Sequence, residues 1–296
     1  LIGLVGSEMC IRDRSMTSPM TLSAFDLALA NHGTMSLDTV MAPAVRYCFD
    51  GFAVRPRVHA FWMQPAQCGR MERVAVVNKL PAARKIYLDA YGNLLKVGDI
   101  LKNPDMGRTY ERIATEGSDV FYTGAIADLI EADMLANGGL ITKQDLAACV
   151  PTVKPPLFGS YRGIQVATNQ LPGGGPMILQ MLNILESFDL SSMGHNSALY
   201  IATVAEAMKL ATIDKDRRLG DPDFIDTSLD EIVSKAYARS LAGQIRAGEK
   251  AVVARINNGS AESQDTTHLV VADTDGNIVN VTPVSYTHLT LPTIPG

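Results

Sequence analysis

Two adjacent threonines behind an acid, Asp265-Thr266-Thr267, are the residues of this chain best placed for covalent chemistry. They open the stretch Asp265–Thr282, in which Leu269 to Ala272 and Ile278 to Val281, both rich in β-branched residues, flank an Asp/Gly/Asn cluster. Such a cluster tolerates positive φ, so the stretch predicts a β-hairpin. An internal threonine has no base of its own and is a poor nucleophile, and on spacing alone the pair also fits ordinary sheet sequence. Cleavage between Asp265 and Thr266 changes the chemistry, because Thr266 then carries a hydroxyl and a free α-amine on one residue. With a pKa of about 7.7–8.0, that amine can take the hydroxyl proton near neutral pH. Were the chain cut there, Thr266 would be a candidate nucleophile and Asp265–Thr266 the cleaved bond.

Other groupings of reactive side chains read as scaffold. Asp273-x-Asp275-x-Asn277 has the alternation of a calcium loop, but its glycine follows the second Asp directly and no glutamate closes it, so it predicts a turn only. Leu171-Pro172-Gly173-Gly174-Gly175-Pro176 lies between a strand expected over Tyr161 to Ala167 and a helix over Met177 to Ser187. It lacks Gly-x-Gly-x-x-Gly and the Lys-Ser/Thr pair of a phosphate cradle, so it reads as a structural loop. The acids between Asp214 and Asp223 are interleaved with Lys215, Arg217 and Arg218, which favours a solvated ion-pair network over a metal site. His32 and His59 have no partner at ligand spacing and read as structural or exposed.

The elements that position these groups are mostly helical. Leu22, Phe25 and Leu29 recur at helical spacing within Ser15 to Asn31, and Met41, Ala44, Val45 and Cys48 share one side of a helix over Leu37 to Phe49. Tyr91-Gly92-Asn93 and Val97-Gly98-Asp99 suggest a short hairpin before a helix over Pro104 to Glu116. A helix over Ile126 to Asn137 stops at Asn137-Gly138-Gly139, a C-cap signal, and Thr142 N-caps the next. Ser197 to Lys209 forms a further helix, and Ala251 to Gln264 a polar loop able to present the scissile bond.

Composition excludes several classes. The 296 residues are 47% hydrophobic and 19% charged with a net charge of −5, enough for a substantial core. The acidic balance and the lack of a basic run argue against a nucleic-acid partner, and no stretch predicts a membrane span. Glu8 to Asp13 can be encoded by a DNA word whose reverse complement encodes Val284 to Leu289, the pattern of a sequencing-adapter scar at each end. Residues 1–14 and 283–296 are accordingly set aside as non-native, which removes Cys10 and His288 from the candidates. Cys48, Cys68 and Cys149 remain, without the spacing of a disulfide framework or a zinc site.

Thr266-Thr267-His268, the strand after it, Asp273-x-Asp275-Gly276-Asn277 and the second strand resemble the maturation site of γ-glutamyltransferases. Gly33-Thr34-Met35-Ser36-Leu37, Ala42-Pro43-Ala44, Asp50-Gly51-Phe52-Ala53-Val54, Gly138-Gly139-Leu140-Ile141-Thr142 and Leu219 to Phe224 resemble the same family's large subunit. The resemblance implies an α+β fold, the N-terminal nucleophile hydrolase αββα sandwich, incomplete at both ends. It implies a large-subunit segment over 15–265 and the start of a small subunit over 266–282, the two subunits forming a heterodimer. It also implies cleavage at Asp265–Thr266, then attack of Thr266 on glutathione or another γ-glutamyl compound, with transfer to water or to an amino acid or peptide amine. No metal or organic cofactor is implied, and the compartment implied is periplasmic or extracellular.

The family's arginine for the substrate α-carboxylate and its downstream substrate and oxyanion residues have no counterpart here, so this polypeptide is expected to be inactive and to expose unpaired sheet edges. His268 reads as a structural strand residue. Thr282 reads as a sheet residue, with support of the nucleophile as its lesser role. A related amidase of the cephalosporin-acylase kind, or a non-enzymatic relative on the same scaffold, are the alternative readings.

Overall fold

The computed structural model describes residues 18–63, 72–253 and 268–282. They fall into two compact units, one holding described residues 18–151 with 268–282, the other 152–253.

The first unit is built on helices whose ends are written in the sequence. Helix α1 spans Thr21–His32 and α2 spans Leu37–Asp50. Gly51, at φ 84, then turns the chain into β1, Phe52–Ala53. Three short helices follow, α3 (Pro56–Trp62), α4 (Arg73–Lys79) and α5 (Pro81–Tyr87), with Pro at the first position of α3 and α5, where its missing N–H has no helical partner to lose. The strand β2, Ile100–Leu101, pairs antiparallel with β1. Helix α6, Pro104–Glu116, starts where the Asn103 side chain accepts the Met106 N–H at 3.1 Å. It packs closely along α2: a side chain at Gly107 would begin 2.8 Å from the Phe49 ring.

Helices α7 (Asp119–Tyr122), α8 (Ala125–Asn137) and α9 (Lys143–Ala147) complete the unit's helical part. As the sequence predicts, Gly138 ends α8 in the left-handed region at φ 72, and the Gly139 N–H reaches back to the Met134 carbonyl at 2.7 Å. Thr142 and Asp145 form a reciprocal capping box on α9. Two adjoining apolar clusters hold these helices: Tyr122, Ala127, Met134, Ile141 and Leu146 in one, and Ile113, Val120 and Ile126 against Met41 in the other.

The second unit begins with a hairpin of β3 (Leu157–Tyr161) and β4 (Ile164–Thr168), paired from Leu157↔Thr168 to Tyr161↔Ile164. A single strand over Tyr161 to Ala167 is therefore corrected to a hairpin. Arg162 at φ 50 and Gly163 at φ 80 reverse the chain within two residues, the geometry whose twist suits adjacent antiparallel strands. Helices α10 (Gly175–Leu185), α11 (Ala198–Arg218), α12 (Leu229–Ile232) and α13 (Lys235–Arg246) follow. Ile184, Ala207, Ala238, Leu241 and Ala242 form the core, the small alanines allowing α10, α11 and α13 to approach closely. Helix α11 runs nine residues beyond the expected Lys209, because Lys215, Arg217 and Arg218 suit its last turn, where the carbonyl end of the helix favours cations.

The last elements are β5 (Leu269–Ala272) and β6 (Ile278–Val281), the hairpin the sequence predicts. Among the described residues the sheets are three separate antiparallel pairs, β1–β2, β3–β4 and β5–β6. Each of these sheets has two strands, so the wide sheets of the expected αββα sandwich are not present among the described residues. No helix among the described residues is long and apolar enough to cross a membrane.

Candidate functional site

Asp265 and Thr266, the expected autocleavage site and nucleophile, lie outside the described residues, as does most of the expected loop from Ala251 to Gln264. The description resumes at His268 and carries the hairpin that follows them. Its register runs Leu269↔Val281, Val270↔Asn280, Val271↔Val279 and Ala272↔Ile278. Leu269, Val270, Val271, Ile278 and Val279 are all between 53% and 68% exposed. Successive residues point to opposite faces, so both faces are apolar, the pattern of a strand pair suited to burial on two sides.

The turn is fixed by one carboxylate. Asp273 Oδ1 accepts the N–H groups of Asp275 at 3.0 Å and Asn277 at 2.8 Å, and Oδ2 accepts the Asn277 side-chain amide at 2.8 Å. Gly276, at φ 86, takes the left-handed position of the three-residue loop. The Asn277 side-chain amide, then its backbone N–H, holds the Asp273 carboxyl below the ordinary value of 3.8. With both Asp273 oxygens committed within the loop, to the Asp275 and Asn277 N–H groups and the Asn277 side chain, the alternation of acids makes a turn, as its spacing predicts. Among the described residues no three His, Cys, Asp or Glu side chains group to hold a metal ion.

At the hairpin's open end His268 Nδ1 lies 2.8 Å from Thr282 Oγ1. The sequence reading treats these two as separate sheet residues, whereas the structure makes them partners. The signal was available in the register, since counting five residues back from Asp273 and five forward from Asn277 reaches this pair.

The acidic stretch from Asp214 is corrected in part. Asp214 is 7% exposed, on the inward face of α11. Its carboxylate accepts from Gln180 Nε2 of α10 and, at 3.1 Å, from the Tyr237 hydroxyl of α13, with Arg218 Nη1 at 3.9 Å. Arg218 reaches on to Glu231 and lies over the Tyr237 ring, 5.5 Å from its centre. Burial, then the neighbouring Asp214 charge, pushes the Tyr237 phenol up, which keeps it a hydrogen-bond donor. This is an internal polar link between three helices, and the helical period explains it: the buried stripe steps by four from Ala207 to Ala211 and by three from Ala211 to Asp214. Glu206, also buried, is held below its ordinary value first by Lys209, and its other oxygen accepts the Ala251 N–H at 2.9 Å.

The glycine loop is packed, as expected of a structural turn. A side chain at Gly175 would begin 2.0 Å from the Asn169 carbonyl oxygen, and one at Gly173 would meet the Asn169 amide at 1.8 Å. These glycines answer to close approach by their own chain, with Pro176 opening the helix.

The family description gamma-glutamyltranspeptidase matches residues 6–289, and the chain belongs to that family. It is 39% identical over 269 residues to the glutathione hydrolase proenzyme of Escherichia coli (strain K12), a match covering 90% of this chain and 45% of that protein. It is 33% identical over 287 residues to the acylase ACY 1 proenzyme of Pseudomonas sp. (strain SE83), covering 94% of this chain and 50% of that one. Among solved structures, the gamma-glutamyltranspeptidase of Helicobacter pylori superposes with a TM-score of 0.74 at 30% identity, over 80% of this chain and 66% of that chain. The cephalosporin acylase of Bacillus halodurans superposes with a TM-score of 0.72 at 26% identity, over 90% and 48%. The chain spans about half the length of the curated relatives it matches.

Proposed function

We propose that this chain is a segment of a self-processing γ-glutamyltransferase that cleaves γ-glutamyl amides such as glutathione through an ester on Thr266. The observation that carries the reading is the family match running through Asp265-Thr266 from residue 6 to residue 289, with the predicted hairpin formed directly behind that bond. In this reading the large-subunit segment runs to residue 265 and Thr266 opens the small subunit, within a family match that extends from residue 6 to residue 289. The apolar faces of β5 and β6 are covered in the complete heterodimer, whose αββα sandwich takes this hairpin as inner strands.

The chemistry has two stages. The Thr266 hydroxyl attacks the Asp265 carbonyl carbon, and the peptide nitrogen leaves as the Thr266 α-amine, giving an ester. Water hydrolyses that ester, releasing Asp265 as a carboxylate and leaving Thr266 with a free amine and hydroxyl. The amine then takes the hydroxyl proton as the oxygen attacks a γ-glutamyl amide, and returns it to the departing amine. Water, or the amine of an amino acid or peptide, takes the glutamyl group and frees Thr266. No metal or organic cofactor enters these steps. The parent protein works in the periplasm or outside the cell.

The test is amide turnover by the full-length parent protein. Release of the aniline from a γ-glutamyl anilide, with a glutamyl adduct mapped to Thr266, supports the reading. The similarity to acylases favours a second substrate class, the side-chain amide of a cephalosporin. Turnover of that amide with none of the γ-glutamyl anilide would move the assignment to an acylase sharing the same nucleophile.

A further inference from the structure

The strand assignments stop at Leu269 and Val281, yet the pairing continues one step further through side chains. His268 stands opposite Thr282, outside the Leu269↔Val281 pair, and their polar atoms meet at 2.8 Å. Imidazole and hydroxyl are each able to donate or accept, so the contact survives either tautomer of the neutral ring. A cross-strand pair at the end of a ladder restricts fraying and slippage there, and register at that end decides where the preceding residues begin. His268 follows Thr266 by two residues. The first covalent step of the proposed function requires the Thr266 oxygen to approach the preceding carbonyl carbon at a bonding angle, and such steps lose rate steeply with small misplacement.

We propose that the His268–Thr282 contact is a clasp that positions the start of β5 for cleavage of the Asp265–Thr266 bond. The two are positioning residues, since neither is assigned a bond to make or break. The inference rests on the reading of Thr266 as the self-cleaving residue.

The test follows self-cleavage of the full-length parent protein over time, by mass, in single and paired substitutions. Thr282→Val keeps the shape and removes the hydroxyl, Thr282→Ser restores the hydroxyl, His268→Ala removes the ring, and His268→Asn restores a polar atom near the Nδ1 position. Thr282→Val and His268→Ala are each expected to slow cleavage about fivefold, the loss of one net hydrogen bond. The pair together should be no slower than the slower single change, because both break one interaction. Ser and Asn should recover most of the rate, which a role in bulk stability alone would not produce. Cleavage of Thr282→Val at the unsubstituted rate, or multiplying effects in the double variant, would overturn the clasp while leaving Thr266 as nucleophile. An uncut unsubstituted protein would overturn the Thr266 reading itself, and the clasp's role with it. Should His268→Ala fail to fold, the Val and Ser variants at position 282 decide the matter.

Discussion

Asp89 and Asp273 make the same turn. Asp89-Ala90-Tyr91-Gly92-Asn93 and Asp273-Thr274-Asp275-Gly276-Asn277 share Asp at the first position, Gly at the fourth and Asn at the fifth. In each, the Asp carboxylate accepts the N–H groups two and four residues on, and the glycine is left-handed, at φ 82 and φ 86. Tyr91 holds the place that Asp275 holds in the other, so the second acid of the later turn is dispensable to it.

A pH dependence follows. Both carboxyls sit below their ordinary value of 3.8, Asp89 chiefly through the Asn93 N–H and Asp273 chiefly through the Asn277 side chain. A depressed folded value means the stabilisation is complete above the unfolded value and is lost as pH falls through the folded one. The Asn277 amide resonance is expected to titrate with a midpoint below 3.8, and its hydrogen-exchange protection, corrected for intrinsic rate, to fall over the same range. Asp273→Asn should abolish the titration, and a midpoint at or above 3.8 would contradict the turn's geometry.

The internal link at Asp214 makes a stability prediction. Asp214→Ala leaves the Tyr237 hydroxyl and the Gln180 amide without their acceptor in a buried place. The expected loss is about 2–4 kcal/mol, read by urea unfolding, against about 1 kcal/mol for Tyr237→Phe, which removes a single donor. Equal and small effects from both would mean that the carboxylate is solvated, as the sequence alone suggests.

Gly175 tests the packed-loop reading. A methyl group there meets the Asn169 carbonyl oxygen at 2.0 Å, and backbone must move to admit it. Gly175→Ala should destabilise by about 1–3 kcal/mol, whereas Gly174→Ala, with open space at that position, should change stability by less than about 1 kcal/mol. Thermal unfolding of the two variants side by side separates the outcomes.

Local chemistry made helices of the first unit legible: Thr142 as an N-cap and Gly138 after Asn137 each mark an end, by a hydrogen bond and by a φ value. The β5–β6 hairpin was legible for the same reason, through Asp273, Gly276 and Asn277. What escaped was decided by tertiary packing. Leu157–Tyr161 carries a glycine, which packs against Leu179, and its reversal uses Arg162, a residue rarely left-handed. Asp214 looks solvated among Lys215, Arg217 and Arg218 until the helix is extended far enough to show its face. His268 and Thr282 needed the register before they became a pair. Thr266 is singled out by the resemblance of Thr266-Thr267-His268 and the hairpin sequence behind it to a family's maturation site, which periodicity and burial do not encode.

The most direct measurement is intact mass with N-terminal sequencing of the full-length parent protein and its Thr266→Ala variant. The account predicts two chains from the parent, the smaller beginning at Thr266, and one uncut chain from the variant. A single uncut chain from both, or a cut at any other bond, would contradict it.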